Sequence, residues 1–91
     1  MSNKYKAVGT LGNITNIRTQ KMWVVVYPDA DEAKFHNKNL AITAAKALLS
    51  IGNEIKVYEE TMIRFKKGCN ITDEIFRIDI TNRIKLLMSI E

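Results

Sequence analysis

Cysteine and histidine are nearly absent from this chain of 91 residues, which contains one of each, Cys69 and His36. A single cysteine cannot form an internal disulfide, which fits a reducing cytoplasm, and a structural zinc site needs four thiolate or imidazole ligands. The acidic stretch "DADE" (29–32) offers oxygen ligands but lacks the glycine and the distant glutamate of a calcium loop. We therefore expect a cytoplasmic protein that holds no metal and no cofactor.

Long hydrophobic runs are absent as well. The longest stretch without a charge is "AVGTLGNITNI", between Lys6 and Arg18, whereas a membrane span needs about 20 apolar residues. The segment "MSNKYKAVG" has cations but not the apolar region of a secretory signal. With 46% hydrophobic and 26% charged residues, the composition is that of a folded protein. We expect one compact domain over residues 1–91 that makes no contact with a membrane.

Residue patterns that carry catalysis are missing too. Glu59 and Glu60 are adjacent on an expected strand, so their side chains point to opposite faces and cannot act as a carboxylate pair. The glycines of "VGTLGN" match neither a dinucleotide-binding loop nor a phosphate loop. Cys69 lies near Lys66 and Lys67, but no orienting group or oxyanion hole accompanies it. We predict that the protein is not an enzyme.

One segment has the periodicity of a long helix. In "NKNLAITAAKALLSIG" apolar residues recur at helical spacing and predict a helix over about 38–51 that packs on a sheet, with Leu40, Ala44, Ala47, Leu48 and Ile51 on the inward face. Asn37 or Asn39 can cap its start, and Gly52 suits the left-handed position after its end.

Most of the remaining chain has the alternation typical of strands, and we predict an α+β domain with a mostly antiparallel sheet of five to six strands. The expected strands are "KYKAVGTL", "ITNIRTQ", "MWVVVYP", "NEIKVYE", "TMIRFKK" and "EIFRIDI", the last with Phe76, Ile78 and Ile80 inward. "EAKF" fits a short strand or one helical turn. The tail "RIKLLMSIE" is helical by propensity and strand-like by alternation, and we favour a short C-terminal helix.

Positive charge is concentrated in two places. Residues 1–27 contain four cations and no carboxylate, and "RFKK" (64–67) adds three more near the end of an expected hairpin. Phosphate binding needs cations on one surface, and aromatic rings can add base stacking. We predict a small basic regulatory protein that binds RNA or DNA through Lys4, Lys6, Arg18, Lys21, Trp23, Arg64, Lys66 and Lys67. Tyr5 is a second candidate for stacking, and Trp23 is alternatively a core residue under the helix.

A second interpretation is a protein-binding regulator or inhibitor, of the kind found in phages and mobile elements. Such a protein would act through an edge strand or an apolar patch. Ile71, Ile84, Leu87 and Ile90 are the candidates for that patch. Because chains this short often gain stability by association, we also expect a homo-oligomer, most simply a dimer.

Overall fold

The computed structural model describes residues 14–91, in which two pairs of strands are each followed by a helix. In chain order they are β1 (Ile14–Val26), β2 (Glu32–Phe35), α1 (Lys38–Ser50), β3 (Lys56–Lys67), β4 (Asn70–Asp79) and α2 (Thr81–Ile90). The strands form an antiparallel sheet in the order β2-β1-β3-β4. This confirms the α+β class. Within residues 14–91 no helix is long and apolar enough to cross a membrane.

Two compact units divide the chain. We call Met1–Gln20 together with Thr61–Phe76 the basic unit, and Lys21–Glu60 together with Arg77–Glu91 the core unit. The three long strands β1, β3 and β4 each contribute residues to both units. The core unit also contains β2 and both helices.

The hydrophobic core lies in the core unit. Its buried members are Val25, Ala45, Ile55, Val57, Ile80 and Ile84. On α1 the buried residues are Ala41 and Ala45, whereas Leu40 and Ile51 are 61% and 75% exposed. The inward face predicted for this helix was therefore wrong by about one residue. The segment is apolar on most of its circumference, so two faces satisfy helical periodicity, and the small alanines allow the closer approach.

The ends of α1 follow local rules. The Asn37 side-chain oxygen accepts a hydrogen bond from the Leu40 amide at 3.1 Å, which caps the first turn. Gly52 has φ +92°, and its amide donates to the Leu49 carbonyl oxygen at 3.1 Å. Both roles were predicted from the sequence and are confirmed.

The predicted count of five to six strands was wrong for the described residues, which form four. "ITNIRTQ" and "MWVVVYP" belong to the single strand β1, and "NEIKVYE" and "TMIRFKK" contribute to the single strand β3. No glycine or proline separates the members of either pair, so nothing breaks the extended backbone. "KYKAVGTL" lies outside the described residues. "EAKF" is a strand, with Trp23 opposite Phe35 and Val25 opposite Ala33.

The last strand and the tail correct one prediction and confirm another. Phe76, Ile78 and Ile80 were expected to point inward, but only Ile80 is buried. Phe76 and Ile78 are 53% and 55% exposed, because they lie on β4 at the edge of the sheet. The tail is helical, as favoured. The Thr81 hydroxyl oxygen accepts from the Val57 amide at 2.8 Å and thereby ties the start of α2 to β3.

Candidate nucleic-acid interface

The β3–β4 hairpin ends in a two-residue turn, Gly68-Cys69. Gly68 has φ +62°, and a glycine at the first central position is typical of a type II′ turn. Counting back from this turn sets Arg64 opposite Asp73. Arg64 donates two hydrogen bonds to Asp73, from Nε to Oδ1 at 2.8 Å and from Nη2 to Oδ2 at 3.0 Å. The turn therefore fixes the register of the hairpin.

Residues 64–72, which we call the hairpin tip, contain three cations and no carboxylate. Its cations differ in their surroundings. The hydrogen bonds that Arg64 donates to Asp73 raise the pKa of the Arg64 guanidinium, and the same bonds lower the pKa of the Asp73 carboxyl group. Lys66 and Lys67 are exposed and form no ion pair with any residue from 14 to 91. The free positive charge of the tip is therefore on the two lysines.

Strand alternation separates these cations. Side chains on a strand point alternately to opposite faces, so Arg64 and Lys66 share one face of β3 and Lys67 takes the other. On β1 the same rule puts Arg18 on the face opposite Lys21. The cations predicted from the sequence are thus divided between the two faces of their strands. At the tip, both faces of the hairpin are positive.

Trp23 belongs to the core unit and packs against the hydrophobic core. Its indole nitrogen is buried and has no hydrogen-bond partner among the described residues. These contacts favour the interpretation of Trp23 as a core residue rather than a stacking platform. Neighbouring Lys21 donates from Nζ to the Glu59 carboxylate at 3.3 Å, so its charge is partly compensated. Lys4, Lys6 and Tyr5 lie outside the described residues.

The ion-pair network of the core unit was not predicted from the sequence. Arg77 on β4 donates from Nε to Glu60 at 2.9 Å and from both terminal nitrogens to Glu32 on β2, at 3.1 and 3.0 Å. Its guanidinium carbon also lies 5.7 Å from the centre of the Tyr58 ring. Because the Glu60 side chain is only 6% exposed, these bonds compensate a buried charge. The hydrogen bonds raise the pKa of Arg77 and lower the pKa of Glu32.

Part of this network could have been found by counting from the hairpin turn, which sets Glu60 opposite Arg77. The contact of Arg77 with Glu32 depends on the order of the strands in the sheet, which no local sequence pattern predicts. Within residues 14–91 no group of three or more histidine, cysteine, aspartate or glutamate residues is arranged to hold a metal ion. Known proteins add no further information, since no family model, no curated protein and no solved structure matches this chain.

Proposed function

We propose that the protein binds nucleic acid without acting on it chemically, and that the hairpin tip is the contacting element. One observation carries the proposal. The tip has three cations and no carboxylate, and its two lysines are exposed and unpaired within the described residues. Phosphate groups supply the counter-charge that these lysines lack, and neutralising phosphates releases counterions from the nucleic acid.

The division of the lysines between two faces supports entry into a groove. The major groove of B-form DNA is wide enough for a two-stranded β-ribbon. A ribbon in that position has a phosphate backbone along each side. Whichever face of the ribbon meets the base edges, one lysine would lie on it and could reach a phosphate, and Asn70 and Thr72 offer polar groups on the face of Lys67.

Charge elsewhere in the chain supports the same location. The described part of the basic unit has four cations against two carboxylates, whereas the core unit has eight of each. Half of the core unit's cations form ion pairs within it, namely Lys21, Lys34, Lys46 and Arg77. Arg18 is exposed in the basic unit and would add a phosphate contact. We place this activity in the cytoplasm, where the exposed Cys69 thiol would stay reduced.

A binding assay with charge-matched variants tests the proposal. Fluorescence anisotropy at low salt would use labelled duplex DNA, duplex RNA and single strands of one sequence. We expect Lys66→Glu/Lys67→Glu to lower the affinity by at least about tenfold, because it reverses both free charges of the tip. The control Lys38→Glu/Arg83→Glu makes the same change in net charge in the core unit, at exposed positions in the first turns of α1 and α2.

The two variants distinguish contact at the hairpin tip from an effect of net charge. The control should change the affinity by less than about threefold, since only long-range repulsion is added. Equal losses in both variants would mean that net charge alone drives the binding. Absence of binding to every probe at low salt would refute the proposal.

A protein partner is the second candidate, and the exposed apolar residues of α2 favour it. Leu86 and Ile90 are 64% and 73% exposed, and Leu87 is 43% exposed. Ile84, predicted from the sequence as part of such a patch, is instead a core residue with 2% exposure. A Leu86→Glu/Ile90→Glu variant that loses function in cells while it keeps its nucleic-acid affinity would favour this candidate.

A further inference from the structure

Strand β4 is an edge of the sheet that residues 14–91 form, and no described strand pairs with its outer side. It is the last strand in the order β2-β1-β3-β4, it is ten residues long, and all ten residues are exposed. Four of them are large and apolar, namely Ile71, Ile75, Phe76 and Ile78, with exposures between 53% and 62%. Proteins usually blunt such an edge with charged side chains, most often lysine, with proline or with a very short strand. β4 has neither proline nor lysine, and its charged residues are Asp73, Glu74, Arg77 and Asp79, so the register decides whether they repel or attract an identical strand.

The sequence of β4 limits how it could pair with an identical strand. Two identical antiparallel strands in one sheet are related by a twofold axis perpendicular to the sheet, so one residue lies opposite itself. An axis at Asp73, Glu74 or Arg77 would place two like charges directly opposite each other. An axis at Phe76 would place Asp73 opposite Asp79. Each of these registers is disfavoured by repulsion.

An axis at Ile75 gives a different result. It pairs residues 71–79 of one copy with 79–71 of the other and sets Asp73 opposite Arg77 on both sides of the axis. We propose that a second copy of this chain covers β4, paired antiparallel with its axis at Ile75, so that the two sheets become continuous. This inference does not depend on nucleic-acid binding.

Side-chain chemistry in this register is favourable on both faces. Ile75 meets its own copy on one face, and on the other face the two Phe76 rings are diagonal neighbours, a distance that aromatic side chains can bridge. Arg77 uses three of its five N–H groups within its own chain, on Glu60 and Glu32. These bonds direct the guanidinium across β3 toward β2, so Asp73 of the second copy, whose side chain is 38% exposed, is attracted to Arg77 as an opposite charge on the same face and not as a hydrogen-bond partner.

The same substitution at two positions of β4 tests the register. Ile75→Lys places two lysines opposite each other on the axis, so we expect the dimer dissociation constant to rise by at least about tenfold. Ile71→Lys adds a lysine on the same face of the same strand, at a similar exposure, but opposite Asp79 of the second copy. We expect this control to leave the dissociation constant within about threefold or to lower it.

Sedimentation velocity over a range of concentrations measures this constant, and circular dichroism shows that each variant is folded. A dimer of the 10.4 kDa chain that Ile75→Lys dissociates and Ile71→Lys preserves supports the proposal. A monomer at every concentration overturns the proposal and would mean that a second copy does not cover β4. Equal dissociation by both variants, or survival of the dimer in Ile75→Lys, overturns the register. A disulfide formed between copies by Ile75→Cys in a Cys69→Ser background is the independent positive result.

Discussion

The core unit and the basic unit differ in what their side chains contact. Every buried side chain among residues 15–91 lies in the core unit, namely eight apolar residues and the polar pair Glu60 and Thr81. At positions 15–20 and 61–76 of the basic unit no side chain is buried. The core unit has equal numbers of cations and carboxylates, whereas the described basic unit has an excess of cations. One unit therefore supplies stability and the other supplies accessible charge.

The largest contrast is expected from the same apolar truncation in the two units. Ile84→Ala in the core unit removes a side chain that is 2% exposed, and we expect a loss of about 3 kcal/mol in the free energy of unfolding because a cavity remains. Ile71→Ala in the basic unit truncates a side chain that is 62% exposed and should cost less than about 0.5 kcal/mol. Urea unfolding measures both values, and similar losses would contradict the division into two roles.

Removal of an arginine from each ion-paired site gives the next largest contrast. Arg77→Ala removes the hydrogen bond to the Glu60 carboxylate, which is 6% exposed and keeps only the longer ion pair with Lys34 Nζ at 3.7 Å, and should lower the free energy of unfolding by about 2 kcal/mol. Arg64→Ala breaks a pair of similar geometry, but Asp73 is 38% exposed and water can solvate it. We expect a loss of less than about 1 kcal/mol there. If Arg64→Ala costs as much as Arg77→Ala, burial is not what distinguishes the two pairs.

Two glycines with positive φ sharpen the comparison at the backbone. Gly52 (φ +92°) ends α1 in the core unit, and Gly68 (φ +62°) forms the hairpin turn of the basic unit; at neither position does a described atom lie within 4 Å of an added Cβ. Replacement of either by alanine should therefore cost about 1 kcal/mol through backbone strain alone. Only Gly68→Ala should also weaken nucleic-acid binding, because it distorts the tip. Thermal unfolding and anisotropy, measured on both variants, separate the two effects.

The smallest effect is expected from Asp79, at the start of α2. Hydrogen bonds from the Thr81 hydroxyl and amide lower the pKa of this carboxyl group. A lowered folded-state pKa means that the contribution to stability is present above the unfolded value, about 3.9, and is lost as the pH falls through the folded value. The difference in unfolding free energy between the wild type and Asp79→Asn should therefore shrink below about pH 4. A difference that is constant with pH would show that this carboxylate is not coupled to folding.

How far the sequence predicted the structure depended on the range of the interactions. The ends of α1 at Asn37 and Gly52 were predictable, because capping and left-handed backbone are set by one or two residues. The helical tail followed from propensity. The inward face of α1 was not predictable, since its apolar residues surround most of the helix. Strand continuity in β1 and β3 was also missed: Lys21 and Glu60 lie inside these strands and are paired with Glu59 and Arg77 on neighbouring strands.

The candidate site was predicted only in part. The sequence identified the tip lysines, because three cations stand close together in "RFKK" next to Gly68. It did not distinguish free cations from compensated ones. That distinction requires the partners of Lys21 and Arg64, which are Glu59 and Asp73, and the second pairing depends on the register of the hairpin. The contact of Arg77 with Glu32, 45 positions away, lies beyond any local pattern.

The most direct test is the salt dependence of duplex DNA binding by the wild type, by Lys66→Ala/Lys67→Ala and by the control Lys38→Ala/Arg83→Ala. Each phosphate contact contributes about 0.9 to the slope of log affinity against log salt concentration. Loss of two contacts at the tip should reduce the magnitude of the slope by about 1.8, while the control variant keeps the slope of the wild type. A slope that does not change in the tip variant, or that falls equally in the control, would contradict the assignment of Lys66 and Lys67 as phosphate contacts.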